Sequence, residues 1–462
     1  MLEMNRKTET QIRDEFTKRN IPSLFCKYAL PSAICLLFVG VQTMIDGLFI
    51  GNYVGADALA GVNITIPLYT LVTSLTVVIG IGCQTVIGIS SGEGNYQKAS
   101  DALRTALFFL VTIASVLALL VIGFNPKVVS LLGADQTLFD YSVDYITTLA
   151  PFFPVLSLLF LGDYFLKSQG LPYKGLAILG STVLINALFD YLFIAYLDLG
   201  VKGAALATGL SFSIGALFSI PNMFRRSNPV SVLKGGFNRS LLGGMLYNGS
   251  SEGVSELSAG IELFLFNRAM MYYVGAIGVA AFTSINYLLF VGITLFVGMS
   301  DGIIPVLSYN YGSSNVKRVL KLLRTNIVVN LTLGVILFLL LSFGGELVIS
   351  LFFKKSSSDT EVLSVAGWGS KICAFAFLFN GFNIATSSFF TSMEDAKLSV
   401  IISVMRGFGF IAVGIIVLPL LCGLTGIWLA IPVAELLTFV FAVTLLRKKI
   451  NIGRLTAKIK YR

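Results

Sequence analysis

The chain contains no histidine and few charged residues, since Asp, Glu, Lys and Arg together make up 12% of its 462 residues. Soluble domains contain roughly 25% charged residues, so this content argues against a soluble protein. The lack of histidine excludes Ser-His-Asp triads, HExxH zinc sites and imidazole proton relays. Any proton chemistry must therefore use carboxylates, and the alternative of a membrane-embedded enzyme is disfavoured because no nucleophile or metal constellation can be assembled.

Other common functional signals are also missing. The five cysteines are scattered without paired spacing, which predicts neither a disulfide framework nor a zinc site. No GxxxxGK[ST] motif is present, so ATP is not expected as a direct energy source, and no cofactor is expected. The net charge of +9 comes from short basic clusters between apolar runs, which predicts no nucleic-acid partner.

Long apolar runs dominate the chain, which is 55% hydrophobic with a mean hydropathy of +0.85. Many runs are about 20 residues long, enough to cross the hydrocarbon core of a bilayer, and they lack the alternation of an outer-membrane barrel. The sequence therefore predicts an all-α polytopic membrane protein with twelve spanning helices. They lie near residues 28–52, 57–89, 99–123, 139–167, 174–197, 201–224, 243–273, 277–308, 319–343, 364–392, 397–420 and 425–446.

The distribution of Lys and Arg predicts the orientation. Loop by loop, 26 of the 33 basic residues fall on the side that holds both termini, and 5 fall on the opposite side. The positive-inside rule then places both termini in the cytoplasm of a multi-pass plasma-membrane protein. Residues 1–27 lack a signal peptide and are interpreted as a cytosolic leader, and the basic tail 447–462 as ordinary anchoring.

An internal repeat relates the two halves of the chain. Tyr53-Val54-Gly55-Ala56 recurs 220 residues later as Tyr273-Val274-Gly275-Ala276, and Leu103-Arg104-Thr105 as Leu323-Arg324-Thr325. Six helices per half is an even number, so both halves enter the membrane from the same side. We predict an amino-terminal lobe (28–224), a cytosolic linker (225–241) and a carboxy-terminal lobe (242–446) that rock around a central cavity.

Ionisable and amide side chains inside the predicted helices are rare and mark candidate sites, since each charge costs at least about 2.5 kcal/mol to insert. Gln42 and Asp46 are four residues apart in helix one, and Asn186 and Asp190 repeat that spacing in helix five. Thr208 in helix six adds a hydroxyl. We predict that this oxygen-rich cluster binds H⁺ or Na⁺, with Na⁺ at Asp46 and Asp190, although hydrogen bonding between helices is an alternative role.

The second half offers less certain candidates. Glu252 and Glu256 are four residues apart in helix seven, and Glu256 is the preferred second-lobe carboxylate because it lies deeper. Asp163 and Lys167 lie one turn apart in helix four, which favours a structural ion pair. Glu435 in helix twelve is left without an assigned role. The glycines of helix two, Gly80, Gly82 and Gly88, are interpreted as helix-packing positions rather than a nucleotide loop.

Several stretches resemble the multidrug and toxic compound extrusion (MATE) family: Met44 to Gly51, Asn186 to Asp190, and Gly200 to Thr208. The resemblance implies two six-helix lobes, export of organic cations in exchange for Na⁺ or H⁺, and a cation site at Asp46, Asn186 and Asp190 with Thr208 nearby. Two positions depart from the family pattern. Tyr191 stands where a proline is frequent, and Asp163 where an asparagine is frequent.

The predicted function is therefore a secondary active antiporter that exports organic cations, drugs or toxic metabolites by alternating access. Its expected partners are the lipid bilayer and a cationic amphiphilic small molecule, and a monomer is expected. The alternative within transport is a lipid-linked oligosaccharide flippase, which would need a cationic cavity to hold pyrophosphate. Few basic residues lie within the predicted helices, which favours cation export.

Overall fold

The computed structural model describes residues 2–350 and 357–450, and all regular structure in those ranges is helical. Within those ranges, eleven helical segments are long and apolar enough to cross a membrane. A further helix, Arg239–Tyr273, has 35 residues and is therefore long enough, but three glutamates and two arginines lower its apolar character. Together these segments confirm the predicted all-α polytopic architecture.

We number the twelve membrane-crossing segments α1 to α12 in chain order. They are Ile21–Val54 (α1), Ala56–Gly92 (α2), Tyr96–Leu131 (α3), Phe139–Ser168 (α4), Pro172–Tyr196 (α5), Gly200–Met223 (α6), Arg239–Tyr273 (α7), Ala276–Gly312 (α8), Val316–Ser350 (α9), Glu361–Ser392 (α10), Ala396–Cys422 (α11) and Leu424–Lys449 (α12). An additional helix, Leu2–Lys18, forms most of the predicted leader and buries the side chains of Ile12 and Phe16. Residues 451–462 of the predicted basic tail lie outside the described residues.

Three of the segments contain a π-helical turn. These turns are Ile50–Val54 in α1, Tyr191–Tyr196 in α5 and Met405–Gly409 in α11. Such turns widen the backbone locally and are frequent at functional sites. The turn in α5 begins at Tyr191, where the family pattern often has proline, so this helix is interrupted without a proline ring.

The repeat is visible in backbone geometry as well as in sequence. Gly55 and Gly275, at matching positions before α2 and α8, both have positive φ values of 126° and 79°. A Cβ at either glycine would meet nothing within 4 Å, so glycine is required there by conformation and not by space. Asn95 and Asn315 likewise each accept a hydrogen bond from the backbone N–H three residues later, at 3.0 and 3.3 Å. The predicted relation between the halves is thus confirmed.

The chain forms two compact units, each with its own apolar core. The first unit contains residues up to Arg19 together with Ile34–Gly249, and the second contains Asn20–Ala33 together with residues from Ser250 onward. Asn20–Ala33 belongs to the second unit because glycines of the α8 region pack on it: a Cβ at Gly302 would lie 2.6 Å from the Tyr28 carbonyl oxygen. The lobe and linker boundaries proposed from the sequence stay predictions.

The turn-rich segment between α6 and α7 (residues 224–238) packs against the start of α3 within the first unit. Arg104 Nη1 donates to the Gly235 carbonyl at 2.8 Å, and the Asn238 N–H donates to Thr105 Oγ1 at 2.9 Å. These two α3 side chains belong to the Leu-Arg-Thr repeat. Partial burial of the segment lowers the pKa of Lys234, against the opposing influence of the Glu9 carboxylate. This segment is therefore docked on α3 through specific hydrogen bonds.

We expect Arg104→Met to release this segment, because a hydrogen bond from a charged donor contributes about 1.5 to 3 kcal/mol. Trypsin cleavage after the exposed Arg225 and Arg226, followed by mass spectrometry of detergent-solubilised protein, should become about tenfold faster or more. Arg324→Met is the matched control, since Arg324 is the repeat-related, exposed arginine of the second unit. Equal cleavage rates in both variants would show that Arg104 does not hold this segment on α3.

Two of the three glycines singled out in α2, Gly80 and Gly82, confirm the helix-packing interpretation. A Cβ at Gly80 would collide with the Tyr164 ring of α4, and a Cβ at Gly82 would collide with the Met245 carbonyl of α7. Small residues of this kind let membrane helices approach until their backbones touch.

Candidate functional site

Three helices of the first unit bring four of the predicted side chains together. Asp46 comes from α1, Asn186 and Asp190 from successive turns of α5, and Thr208 from α6. Asp46 lies one turn before the π-helical turn of α1, and Asp190 is the last residue before the π-helical turn of α5. The two interrupted helices therefore meet at their carboxylates.

A chain of long hydrogen bonds joins this group, which we call the Asp46–Asp190 cluster (Asp46, Asn186, Asp190 and Thr208). Asn186 Nδ2 donates to Thr208 Oγ1 at 3.5 Å, and Thr208 Oγ1 donates to Asp46 Oδ2 at 3.4 Å. Asp190 lies within electrostatic range of Asp46. Distances near 3.5 Å are at the outer limit of a hydrogen bond, so the cluster is held together loosely.

The cluster contains more buried acceptors than donors. Asn186 and Asp190 are 0% exposed, and Thr208 is 5% exposed. One oxygen of Asp46, the amide oxygen of Asn186 and both oxygens of Asp190 are buried without a hydrogen-bond donor in the protein. Buried acceptors are nearly always satisfied in native proteins, because an unsatisfied one costs roughly 1 to 3 kcal/mol. Four such oxygens in one place fit a proton or a small cation, which would satisfy several of them at once.

The remaining predicted member, Gln42, does not join the cluster. Its side chain is buried one turn before Asp46, but it makes no hydrogen bond to the Asp46 carboxyl. Two tyrosines lie within electrostatic range of the acidic pair: Tyr69 of α2 with respect to Asp46, and Tyr145 of α4 with respect to both carboxylates. Both tyrosines lie in apolar runs without a spacing signal, so the sequence alone did not mark them.

The buried pair in α4 has the geometry that was predicted. Lys167 Nζ lies 2.6 Å from Asp163 Oδ2, and both side chains are less than 10% exposed. The lysine compensates the negative charge that Asp163 introduces at this position. Asp163 is therefore paired within its own helix and does not belong to the Asp46–Asp190 cluster.

The second unit has its own polar centre, at which Glu435 of α12 is fully engaged. Glu435 Oε1 accepts from Asn380 Nδ2 at 3.0 Å and from Arg406 Nε at 3.2 Å, and Glu435 Oε2 accepts from Asn383 Nδ2 at 2.6 Å. The two asparagines lie on α10, and Arg406 lies in the π-helical turn of α11. We call Asn380, Asn383, Arg406 and Glu435 the Arg406–Glu435 cluster.

The two predicted second-lobe glutamates occupy different environments. Glu256 is exposed, whereas Glu252 is partly buried beside Ser251, whose Oγ lies 3.5 Å from Glu252 Oε1. Glu252 lies within electrostatic range of Arg406 and of Asp301. Neither glutamate is bonded to the Arg406–Glu435 cluster. The sequence did not mark the asparagines and the arginine of that cluster as candidate site residues, because polar residues in membrane helices commonly form hydrogen bonds between helices.

Within residues 2–350 and 357–450, no three His, Cys, Asp or Glu side chains converge on one point as a metal cluster would require. The Asp46–Asp190 cluster offers carboxylate, amide and hydroxyl oxygens, which are ligands suited to hard monovalent cations and to protons.

Comparison with known proteins agrees along the length of the chain. A protein-family model described as MatE matches residues 31–192 and 261–420. The multidrug export protein MepA of Staphylococcus aureus is 23% identical over 447 residues, covering 95% of this chain and 96% of MepA. The protein of that name from Staphylococcus haemolyticus is 22% identical over 422 residues, covering 91% and 92%.

Solved structures show the same fold. A crystal structure of MATE in complex with MaL6 has a TM-score of 0.88 at 19% identity, covering 97% of this chain and 99% of that chain. The outward-facing conformation of a multidrug resistance MATE family transporter of the MOP superfamily also has a TM-score of 0.88, covering 97% and 98%. Since the family model matches most of both halves, the chain belongs to the MATE family, and it is a multi-pass membrane transporter and not an enzyme.

Proposed function

We propose that this chain is a secondary active antiporter that exports organic cations, drugs or toxic metabolites in exchange for Na⁺ or H⁺. In this proposal the protein acts as a monomer without a cofactor in the plasma membrane, with both termini in the cytoplasm. The two six-helix lobes alternate in the direction they open. The names of the relatives support the drug-export part, since MepA is described as a multidrug export protein.

The observation that carries the coupling part is the excess of buried oxygen acceptors in the Asp46–Asp190 cluster. Two carboxylates held close together away from water repel each other, and each is poorly solvated. Binding of one cation relieves both costs, so the cluster exists in two states that differ by one positive charge. The amino-terminal lobe then favours one conformation when the cluster holds the cation and another when it does not. This difference links ion movement to transport.

The flippase alternative would use basic side chains within the lobes to hold pyrophosphate. Arg406 lies near the middle of its membrane-crossing segment, in the π-helical turn of α11. Arg406 is already paired with Glu435, and its side chain is only 14% exposed. The described residues therefore favour a cationic substrate over a pyrophosphate.

The direct test is ethidium movement in proteoliposomes that contain the purified native chain. An imposed H⁺ or Na⁺ gradient should drive ethidium against its own gradient, because the antiporter exchanges one cation for the other. The same vesicles treated with an ionophore that collapses the imposed gradient should lose the movement. Comparing the two imposed gradients identifies the coupling ion.

Ethidium movement that proceeds equally with and without both gradients would contradict the antiport mechanism. Protein-free vesicles under the same gradients control for passive leakage of the dye.

A further inference from the structure

Unlike the Asp46–Asp190 cluster, the Arg406–Glu435 cluster contains its own positively charged side chain. Arg406 Nε lies 3.2 Å from Glu435 Oε1, and the two side chains are 14% and 5% exposed. A guanidinium stays protonated at any physiological pH, so this positive charge is permanent. The groups that the structure places against Asp46, by contrast, are Asp190, Asn186 and Thr208, and none of them is basic.

Two more carboxylates lie within electrostatic range of the same arginine. Glu262 of α7 lies within electrostatic range of both Glu435 and Arg406, and Glu252 lies within range of Arg406. The guanidinium is thus bonded to Glu435 of α12 and lies within electrostatic range of two more acidic side chains, both from α7. Without it, these acids would be left with no positive charge from within the cluster.

The Arg406–Glu435 cluster also has oxygen atoms that could act as ligands of a cation. The amide oxygens of Asn380 and Asn383 are buried without a hydrogen-bond donor, in side chains that are 3% and 0% exposed. Their amide nitrogens are bound to Glu435, so these oxygens lie beside the carboxylate. Carboxylate and amide oxygens in this arrangement suit a hard monovalent cation.

We infer that Arg406 is a tethered counter-cation that occupies the second unit's carboxylate–amide cluster and excludes the coupling cation from it. Ion coupling is then confined to the Asp46–Asp190 cluster, an inference that rests on the proposed function. The physical reason is competition, because either the guanidinium or an external cation can compensate the charge of Glu435. The guanidinium is attached to the chain, so its effective concentration at Glu435 is higher than that of a free cation.

The test measures Na⁺ binding in a background that lacks the first-unit site, Asp46→Asn/Asp190→Asn. In this background the chain with Arg406 should show no Na⁺-dependent rise in its thermal unfolding midpoint at pH 8.5. Adding Arg406→Gln should create such a rise, of roughly 3 °C or more at 100 mM Na⁺ relative to the same concentration of a large organic cation. Radioactive Na⁺ binding to the purified variants provides the second readout.

Two further variants control for charge. Arg406→Lys retains the positive charge and should not respond to Na⁺. Arg406→Gln/Glu435→Gln removes both partners and should not respond either, because the carboxylate that would hold Na⁺ is gone. A purely structural role for Arg406 predicts lower stability in Arg406→Gln without any gain of Na⁺ binding.

Two results would overturn the inference. One is a folded Arg406→Gln protein that gains no Na⁺ response. The other is Na⁺ binding by the Asp46→Asn/Asp190→Asn protein that still carries Arg406, if adding Glu435→Gln abolishes that binding. This second comparison uses only proteins that retain Arg406, so it can be made even if Arg406→Gln does not fold. Gradient-driven ethidium transport by the native chain is measured separately, so a failure of antiport itself is distinguishable from a failure of this inference.

Discussion

Asp190→Asn is expected to reduce gradient-driven ethidium transport about 30-fold or more while the protein still folds. The substitution keeps the size of the side chain but removes its charge, and the new amide cannot take up or release a proton. Asp190 is 0% exposed and neither of its oxygens has a donor, so its charge is compensated by the bound cation in our proposal. Losing an interaction with a charged group at about 2 kcal/mol corresponds to that factor.

Asp46→Asn should act in the same direction, with a loss of about tenfold or more, because one Asp46 oxygen accepts a hydrogen bond from Thr208 whereas neither Asp190 oxygen has a donor. The matched control is Asp144→Asn in the same lobe, whose carboxylate is 44% exposed and lies 3.1 Å from Lys202. Surface pairs of this kind contribute 0 to about 1 kcal/mol, so transport should change less than about fivefold. Native transport rates in Asp46→Asn and Asp190→Asn would remove the proposed coupling site.

The architecture was predictable because membranes impose simple rules. Every predicted helix has a counterpart in the structure, since a bilayer accepts only helices or closed barrels and the apolar runs are long. The ends were predicted less well. Helix one was expected to begin near residue 28 but begins at Ile21, and helix three was expected to end near 123 but continues to Leu131. Apolar runs mark the hydrocarbon region, whereas helices extend beyond it.

The extension of α3 has a specific physical cause. Phe124 has φ −124° and ψ 21°, two residues before Pro126, so the helix kinks there and then resumes. A proline inside a helical pattern removes one hydrogen bond and either kinks the helix or ends it. Here the segment after the kink is helical again. The sequence pattern does not distinguish a helix that kinks at a proline from one that ends there.

The two polar clusters were not equally predictable. The spacing of Asn186 and Asp190 on one helix face pointed to the Asp46–Asp190 cluster, and its members do meet in the structure. The Arg406–Glu435 cluster joins side chains 29 to 55 residues apart on three helices. No local spacing encodes such contacts, because they depend on how α10, α11 and α12 pack.

Gly249→Val is expected to destabilise the first unit by more than about 3 kcal/mol, because overpacking against a backbone cannot be relieved by a side-chain rotation. A Cβ at Gly249 of α7 would collide with the Val78 carbonyl of α2, and a Cβ at Gly82 of α2 would collide with the Met245 carbonyl of α7. The two helices thus touch backbone to backbone at two glycines, one from each. Both contacts lie within the same packed crossing, so neither helix can move away without losing the other contact.

Gly244→Val is the matched control, since it makes the same change in the same helix where a Cβ would meet nothing within 4 Å. Both substitutions have the same intrinsic effect on helix propensity, so the difference between them isolates the crossing of α2 and α7. In detergent, the unfolding midpoint of Gly249→Val should fall about 6 to 12 °C below that of Gly244→Val. Equal midpoints would mean that α2 and α7 separate at no cost, and the backbone contact would then contribute nothing to the stability of the first unit.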